Sequence, residues 1–298
     1  MRVNPLYMND LVNSLDQSSA SEAQLTEELG SGSRVNNLSD DPIAAGNNVL
    51  LSQQIGSDDT FSQTAASTQS MLQMSDSALS TVVSQLTSAV SLATEANNGT
   101  LNASDLESIG NQLAGIRNEV VSLANTTYLG QYLFSGSQGA TAPYTLDTST
   151  SPAVATYQGD TSVDYLQTPN GQKIQLNVPG SQIFSSPGND VLGTLNALVA
   201  DFSSGTASST AVSDSQALSS ALSYVTQQRV VIDNSLTRLS DAETYTQSES
   251  TQLQAAQTTL LQANVAQVAT QLSTAETQQA ALSQVIATLG KQSLFNDL

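Results

Sequence analysis

The chain has no cysteine, no histidine and no tryptophan among its 298 residues. Without cysteine there is no disulfide and no thiolate chemistry, and any redox compartment is tolerable. Without histidine the commonest general base and metal ligand is missing. Aromatic residues amount to only 4%, so the apolar interior is expected to be thin, as between long helices, rather than deep. Basic residues are scarce: 7 Lys and Arg stand against 26 Asp and Glu, a formal net charge of −19. Such a surface repels phosphate backbones and anionic lipid, which argues against nucleic acid and membrane surfaces as partners. No apolar run approaches the roughly eighteen residues of a membrane span, so no membrane insertion is expected. The first residues, Met1-Arg-Val-Asn-Pro-Leu-Tyr-Met8, lack the apolar core and small-residue cleavage site of a secretory signal. Cytoplasmic residence, or export by a route that does not use that signal, follows.

Periodicity is what the sequence has in abundance. Over residues 261–289 apolar side chains fall at Leu261, Val265, Val268, Leu272 and Ala275, and after the polar Gln279 at Leu282, Ile286 and Leu289. Steps of four and three alternate throughout, which is a heptad seam. No Gly or Pro interrupts residues 206–289, so nothing local stops one helix from running the whole way. A stripe this narrow cannot stabilise a lone helix, because helix propensity barely offsets chain entropy. A partner stripe lies at the other end of the chain, at Met8, Leu11, Leu15, Ser18, Glu22, Leu25 and Leu29. Set antiparallel with Met8 opposite Leu289, Ser18 meets Gln279, Leu15 meets Leu282 and Leu25 meets Leu272. The fold class that follows is mainly α: a long antiparallel helical coiled-coil rod, out and back, with a small β domain inserted.

Between the ends, Gly30-Ser-Gly-Ser-Arg34-Val-Asn-Asn-Leu-Ser39-Asp40-Asp41-Pro42 is rich in turn formers, and Asp41-Pro42 reads as an N-cap and first helical residue. A second helix to about Ala96 carries the seam Phe61, Ala65, Thr68, Leu72, Ser75, Leu79, Val82, Leu86, Ala89, Ala93. Asn97-Asn-Gly-Thr100 breaks it, and Asn102 with Asp105 resembles a capping box opening a third helix with Leu106, Ile109, Leu113, Ile116, Val120 and Leu123. From Asn125 the composition shifts to Gly, Pro, Tyr and Thr with short alternating runs, the pattern of a small β domain. Residues 190–202 read as a short helix and 203–210 as a soft linker before the return helix starts near Val212. Its first seam, Leu218, Leu222, Val225, Ile232, Leu236 and Leu239, is out of phase with the terminal one, and residues 240–250 are polar. The division expected is residues 1–41 with 246–298 as a terminal assembly segment, 42–129 with 205–245 as a helical rod domain, and 130–204 as the β insert.

Motifs with chemical potential have plainer readings. Asp40-Asp41 before Pro is a helix start rather than a metal or acid/base pair. Ser135-Gly-Ser-Gln-Gly139 lacks the Lys and strand-to-helix setting of a phosphate cradle and reads as a turn. Tyr128, Tyr132 and Phe134 form either a partner patch or the seal between β domain and helices. Asp160 and Asp164 would be the acids of a hidden glycosidase, but they lie by a turn with no partner acid in view. The Asn-x-Ser/Thr matches at Asn37, Asn98, Asn102 and Asn125 are expected by chance in a Ser/Thr-rich chain. The seams themselves fit either an intramolecular core or subunit contacts. The terminal pair is the better assembly candidate, because a two-helix hairpin leaves one side of each seam uncovered.

Several stretches resemble the flagellin-related hook-associated proteins, the kind that joins hook to filament in particular. They are Leu29-Gly-Ser-Gly-Ser-Arg34-Val-Asn with Ser39-Asp40-Asp41-Pro42-Ile-Ala-Ala45, and Leu123-Ala-Asn125-Thr-Thr-Tyr-Leu-Gly130-Gln-Tyr132-Leu-Phe134-Ser-Gly136 with Thr141-Ala-Pro-Tyr144. Tyr157-Gln-Gly-Asp160, Val178-Pro-Gly-Ser-Gln-Ile-Phe184 and the C-terminal stretch from Ala263-Asn-Val-Ala to Ser293-Leu-Phe-Asn-Asp-Leu298 complete the likeness. Tyr144 stands where the family usually has Phe, and Ala263-Asn264-Val265 where it often has an acidic start. The resemblance implies a non-enzymatic structural protein, without cofactor, secreted through the flagellar type III route to the bacterial flagellum. It would form a ring of its own copies between hook-associated protein 1 and flagellin, with an export chaperone guarding its ends. Flagellin itself and a secreted needle-tip-like coiled-coil protein are the alternatives. The implied motif residues are Arg34, Asp40, Asp41, Pro42, Asn125, Gly130, Tyr132, Phe134 and Gly136. The candidate assembly residues are Leu11, Leu15, Leu25, Leu29, Leu261, Val265, Val268, Leu272, Leu282, Ile286 and Leu289. Terminal segments with polar breaks in a narrow stripe are expected to be marginal alone and to be completed by neighbours.

Overall fold

The computed structural model describes residues 5–294, with side chains over 7–289. The sequence ending Phe295-Asn-Asp-Leu298 lies outside the described residues. The chain is mainly α: α1 (Pro5–Ser31), α2 (Pro42–Ala96), α3 (Ala103–Ala124), α4 (Gly180–Ile183), α5 (Val191–Phe202), α6 (Ala211–Leu261) and α7 (Val265–Leu294). Four antiparallel two-stranded hairpins lie between α3 and α5: β1 (Thr127–Tyr128) with β2 (Gln131–Tyr132), β3 (Tyr144–Asp147) with β4 (Val154–Tyr157), β5 (Tyr165–Gln167) with β6 (Lys173–Gln175), and β7 (Ser185–Ser186) with β8 (Asn189–Asp190).

The chain forms two compact units, one of residues up to Ser57 with those from Ser248 on, the other Asp58–Gln247. Both long helices, α2 and α6, change heptad phase near these limits. Along α2 the inward positions run Leu51, Ile55, Asp58, Phe61, Ala65, with two successive steps of three. Along α6 they run Ala242, Thr246, Ser250, with two successive steps of four. The limit on the outward side falls within the first third of α2, whose opening turns group with the terminal segments.

Within the larger unit one continuous core extends from Phe61 to Leu239. The α2 seam is sealed: Ala65, Leu72, Leu79, Val82, Leu86, Ala89 and Ala93 are buried, as are Leu218, Val225 and Leu239 of α6. Burying a Leu side chain fully stabilises by about 2 kcal/mol, so this seam dominates the fold. The hairpins do not build a separate core. Phe134, Tyr144, Ile174, Ile183 and Phe184 belong to the same cluster as the helices. Phe134 and Tyr144 both meet the Phe184 ring edge to face, at 5.6 and 5.9 Å between centroids. The Tyr144 hydroxyl is satisfied, donating to Gly180 O at 2.9 Å and sharing a hydrogen bond with Ser185 Oγ at 2.7 Å.

The expected seam of α3 is present, with Leu106, Ile109, Leu113 and Val120 buried and Ile116 and Leu123 packed partly buried against the core, and Arg117 is buried beside it. Its guanidinium is buried with no ion pair among the described residues, and donates instead to Asn196 Oδ1 (2.9 Å), Ala153 O (3.1 Å) and Asn118 Oδ1 (3.1 Å). Hydrogen bonds from four of its five N–H groups make the buried cation tolerable, and they tie α3 to α5 and to the loop before β4. Asn102 caps α3 by accepting from Asp105 N at 2.9 Å, and Asp190 caps α5 by accepting from Gly193 N at 2.9 Å.

Beyond the reach of local rules, the expected unbroken helix over 206–289 ends at Leu261 and restarts at Val265. Tertiary hydrogen bonds cause the break: Ala263 N donates to Gly32 O (2.9 Å), Arg34 N to Leu261 O (2.7 Å), and Ser33 bridges Gln262 in antiparallel fashion. Asn264 then caps α7, accepting from Gln267 N at 3.2 Å.

Three outcomes follow from this packing. Leu86→Ala should lower the stability of the larger unit by about 2–5 kcal/mol, read in urea melts followed by circular dichroism. The β1–β2 hairpin turns on Leu129 and Gly130, both at positive φ (49° and 81°). Leu129→Asn, a residue suited to the first position of such a turn, should raise stability by up to about 1 kcal/mol in the same melts. At the start of α6, burial and then the neighbouring Asp201 carboxylate hold the Asp214 carboxyl above its ordinary range. Buried Asp201 accepts from Thr210 Oγ1 (3.0 Å), and no hydrogen bond reaches its Oδ2. A raised carboxyl binds its proton more tightly folded than unfolded. Its contribution is therefore full below the ordinary carboxylate range and lost as pH rises through the raised value. Asp214→Asn should flatten that falling limb and raise stability at neutral pH, measured as urea midpoints from acid to neutral pH.

Candidate assembly surface

In the smaller unit, α1 packs against α7. Helix α1 closes at Gly32 (φ +68°), whose N–H returns to Glu28 O at 2.9 Å, the left-handed C-terminal cap that favours glycine. The chain then loops to α2 through the motif residues. Arg34 Nη1 donates to Asp41 Oδ2 at 2.8 Å while its Nη2 reaches Leu260 O at 3.2 Å. Asp41 Oδ1 accepts from Ala44 N (2.9 Å) and Ile43 N (3.2 Å), with Pro42 at the first helical position, as its sequence predicted. The Ala44 amide, then Arg34, hold the Asp41 carboxyl below its ordinary range. Asp40 folds the loop by accepting from Asn37 N (2.7 Å) and Asn36 N (3.1 Å). Both carboxylates are thus committed to backbone amides, and the loop clasps residues 260–263.

The α1–α7 seam contrasts with the sealed one in the larger unit. Among the described side chains of α7, Val268 and Ala275 alone are buried, at 5% and 8% exposure. Leu272, Leu282, Ile286 and Leu289 are half-buried, as are Leu261 and, on α1, Leu11, Leu15 and Leu25. Leu29 is 36% and Val265 53% exposed, so these two lie on the rim of the pair. Beside Leu25 and Ala275 runs an open groove of about 440 Å³, walled by Gln24, Glu28, Gln271 and Gln278. Tyr7, Val12 and Val285 are exposed in addition. Apart from Leu261 at the end of α6, the candidate assembly residues lie along α1 and α7, with Val268 buried, Leu29 and Val265 on the rim and the rest half-covered.

The central motif residues serve the fold of the larger unit. Asn125 pairs with the Tyr144 backbone like a strand, donating to its O (2.8 Å) and accepting from its N (2.9 Å). Gly130 makes the β1–β2 turn, Tyr132 N donates to Gly139 O (2.8 Å), and Phe134 is core. Gly136 has φ +70°, and a Cβ there would lie 2.0 Å from Asp160 Oδ1, so only glycine fits. Asp160 accepts from Ser137 N (2.9 Å), Ser162 N (3.0 Å) and the Ser137 hydroxyl, which pull its carboxyl down to about 2. Such a group is a turn anchor and cannot act as the proton donor a glycosidase needs, and the Ser137 amide of the supposed phosphate cradle is already occupied. Asp164 stands exposed nearby. Among the described residues there is no group of three metal-ligating side chains, and no helix is long and apolar enough to cross a membrane.

Arg117, Leu129 and Asn264 were missed in the sequence. Only Asn264 carried a signal, standing three residues ahead of Gln267 at the head of an apolar repeat.

The family described as bacterial flagellin N-terminal helical region matches residues 4–139. Flagellar hook-associated protein 3 of Salmonella typhimurium is 30% identical over 188 residues, 62% of this chain and 57% of that protein. Its counterpart in Escherichia coli is 31% identical over 161 residues, 54% of this chain and 49% of that protein. The matched part thus spans about half the length of these relatives. A crystal structure of flagellar hook-associated protein 3 from Legionella pneumophila superposes with a TM-score of 0.62 at 15% identity, covering 71% of this chain and 98% of that one. This likeness bears on the fold, which is the flagellin-like one of long helices with small antiparallel sheets. These matches make the chain similar to flagellar hook-associated protein 3 and, over residues 4–139, to the flagellin N-terminal helical region.

Proposed function

We propose that this protein is a structural, non-enzymatic subunit of the bacterial flagellum that joins hook to filament, and that it assembles through α1 and α7. The observation that carries the reading is the half-covered seam. A stripe whose members sit half in water gains stability when a further helix covers it, and copies of the chain or its flagellar relatives carry such helices. Contacts of this kind repeated head to tail close into rings or grow into filaments. The partners proposed are copies of itself, hook-associated protein 1 on the hook side, flagellin on the filament side, and an export chaperone that covers the seam before assembly. The names and matched lengths of the relatives support the junction role, and the secreted location follows from it.

The test separates assembly from folding. Val268→Asp with Leu272→Asp puts two charges into the seam, and removal of residues 262–298 deletes it. Either change should abolish complementation of a strain lacking the junction protein, so that electron microscopy finds intact hooks with shed filaments. The thermal transition of the larger unit should stay unchanged. Normal filaments on cells carrying either variant would overturn the reading.

A further inference from the structure

Two Asn-Gly pairs occur in the chain, Asn98-Gly99 and Asn170-Gly171, and the fold treats them in opposite ways. Asn98-Gly99 lies in the turn after α2. Asn98 donates its backbone N–H to Glu95 O (3.1 Å), but among the described residues no hydrogen bond holds its side chain or the Gly99 N–H. Both residues are exposed, and Gly99 sits at φ +69° with open space around the place a Cβ would occupy. Asn97 next door is fixed, its amide donating to Ser215 Oγ (2.8 Å) and Ala211 O (3.4 Å). In the β5–β6 turn, by contrast, Gly171 N–H donates to Thr168 O (2.9 Å), and Asn170 Oδ1 accepts from the Thr168 hydroxyl and from Gln172 N (3.4 Å).

We infer that Asn98 is a site of spontaneous self-modification, losing its side-chain amide through attack by the Gly99 nitrogen while Asn170 is protected. Hydroxide removes the Gly99 amide proton, and the nitrogen attacks Asn98 Cγ. A Cγ–N bond forms, the Cγ–Nδ2 bond breaks, and the leaving nitrogen departs as ammonia after taking a proton from water. The product is a five-membered succinimide. Water then opens it at Cγ, giving aspartate, or at the former backbone carbonyl, giving isoaspartate. No electrons are exchanged, so only water and hydroxide are consumed. Glycine at 99 matters because no side chain crowds the ring as it closes.

Each event adds one negative charge at the C-terminal end of α2, where the helix dipole already disfavours it, close to Glu95. Isoaspartate also lengthens the main chain beside the Asn97 contact that holds the end of α2 to the start of α6. Protection of Asn170 has a physical scale: its turn must open before the nitrogen is free. Deamidation there should therefore be slower than at Asn98 by roughly tenfold or more.

The experiment ages the full chain at mildly alkaline pH and follows both sites by peptide mapping with mass spectrometry, beside a sample unfolded in urea. The expected result is conversion at Asn98 in both samples, faster at higher pH, with conversion at Asn170 slowed only in the folded one. Asn98→Gln should stop the main acidic species from accumulating on isoelectric focusing, because glutamine closes the larger ring far more slowly. The inference is overturned if folded Asn98 stays intact, if Asn170 converts as fast as Asn98 in the folded chain, or if the acidic species accumulates unchanged in Asn98→Gln.

Discussion

A two-position apolar stripe on a helix can be dried only when it is flanked on both sides, and the number of neighbours each stripe finds within the chain decides everything else here. In the larger unit α2, α3, α5, α6 and the aromatic hairpin residues surround one core, and Leu72, Leu79 and Leu86 lose contact with water. In the smaller unit α1 and α7 have chiefly each other, and the same heptad pattern leaves Leu11, Leu25, Leu282 and Ile286 half wet. Helices α1 and α7 are formed and paired all the same. What neighbours would add is cover for the second side of the stripe.

The charged groups are spent on holding this geometry. Asp41 and Asp190 cap helices, Asp160 anchors a turn, and Asp76 pairs with Arg229 in a two-pronged contact at 2.6 and 3.1 Å. Arg34 clasps the loop to the end of α6, Arg117 ties α3 to α5, and Arg238 reaches Lys173 O at 2.9 Å. A chain with so few cations uses them where a planar, many-donor group can join separate elements. Most of the remaining acidic side chains are exposed, while Asp58 and Asp201 are buried.

Much of this was legible in the residues. Heptad seams, the Asp41-Pro42 start, the Asn102 cap and the helix behind Asp190 are local patterns whose physics acts within a few residues, and the structure carries each of them. The half-covered seam could also be foreseen, since counting helices in a terminal hairpin is enough to know that one side stays open. Arg117 shows the limit. A charged residue in an inward position looks wrong until Asn196 and the Ala153 carbonyl, far along the chain, are known to meet it.

The amino-acid order thus determined which stretches are helical, where most of them begin, and which faces are apolar, because capping and periodicity are properties of neighbouring residues. Only the tertiary structure decided that the return helix breaks at residues 262–264, that the hairpins share the helices' core, and that Asn98 is open while Asn170 is locked. Each of those outcomes depends on hydrogen bonds or burial among residues distant in sequence or held by a particular turn, and such contacts exist only once the chain has folded.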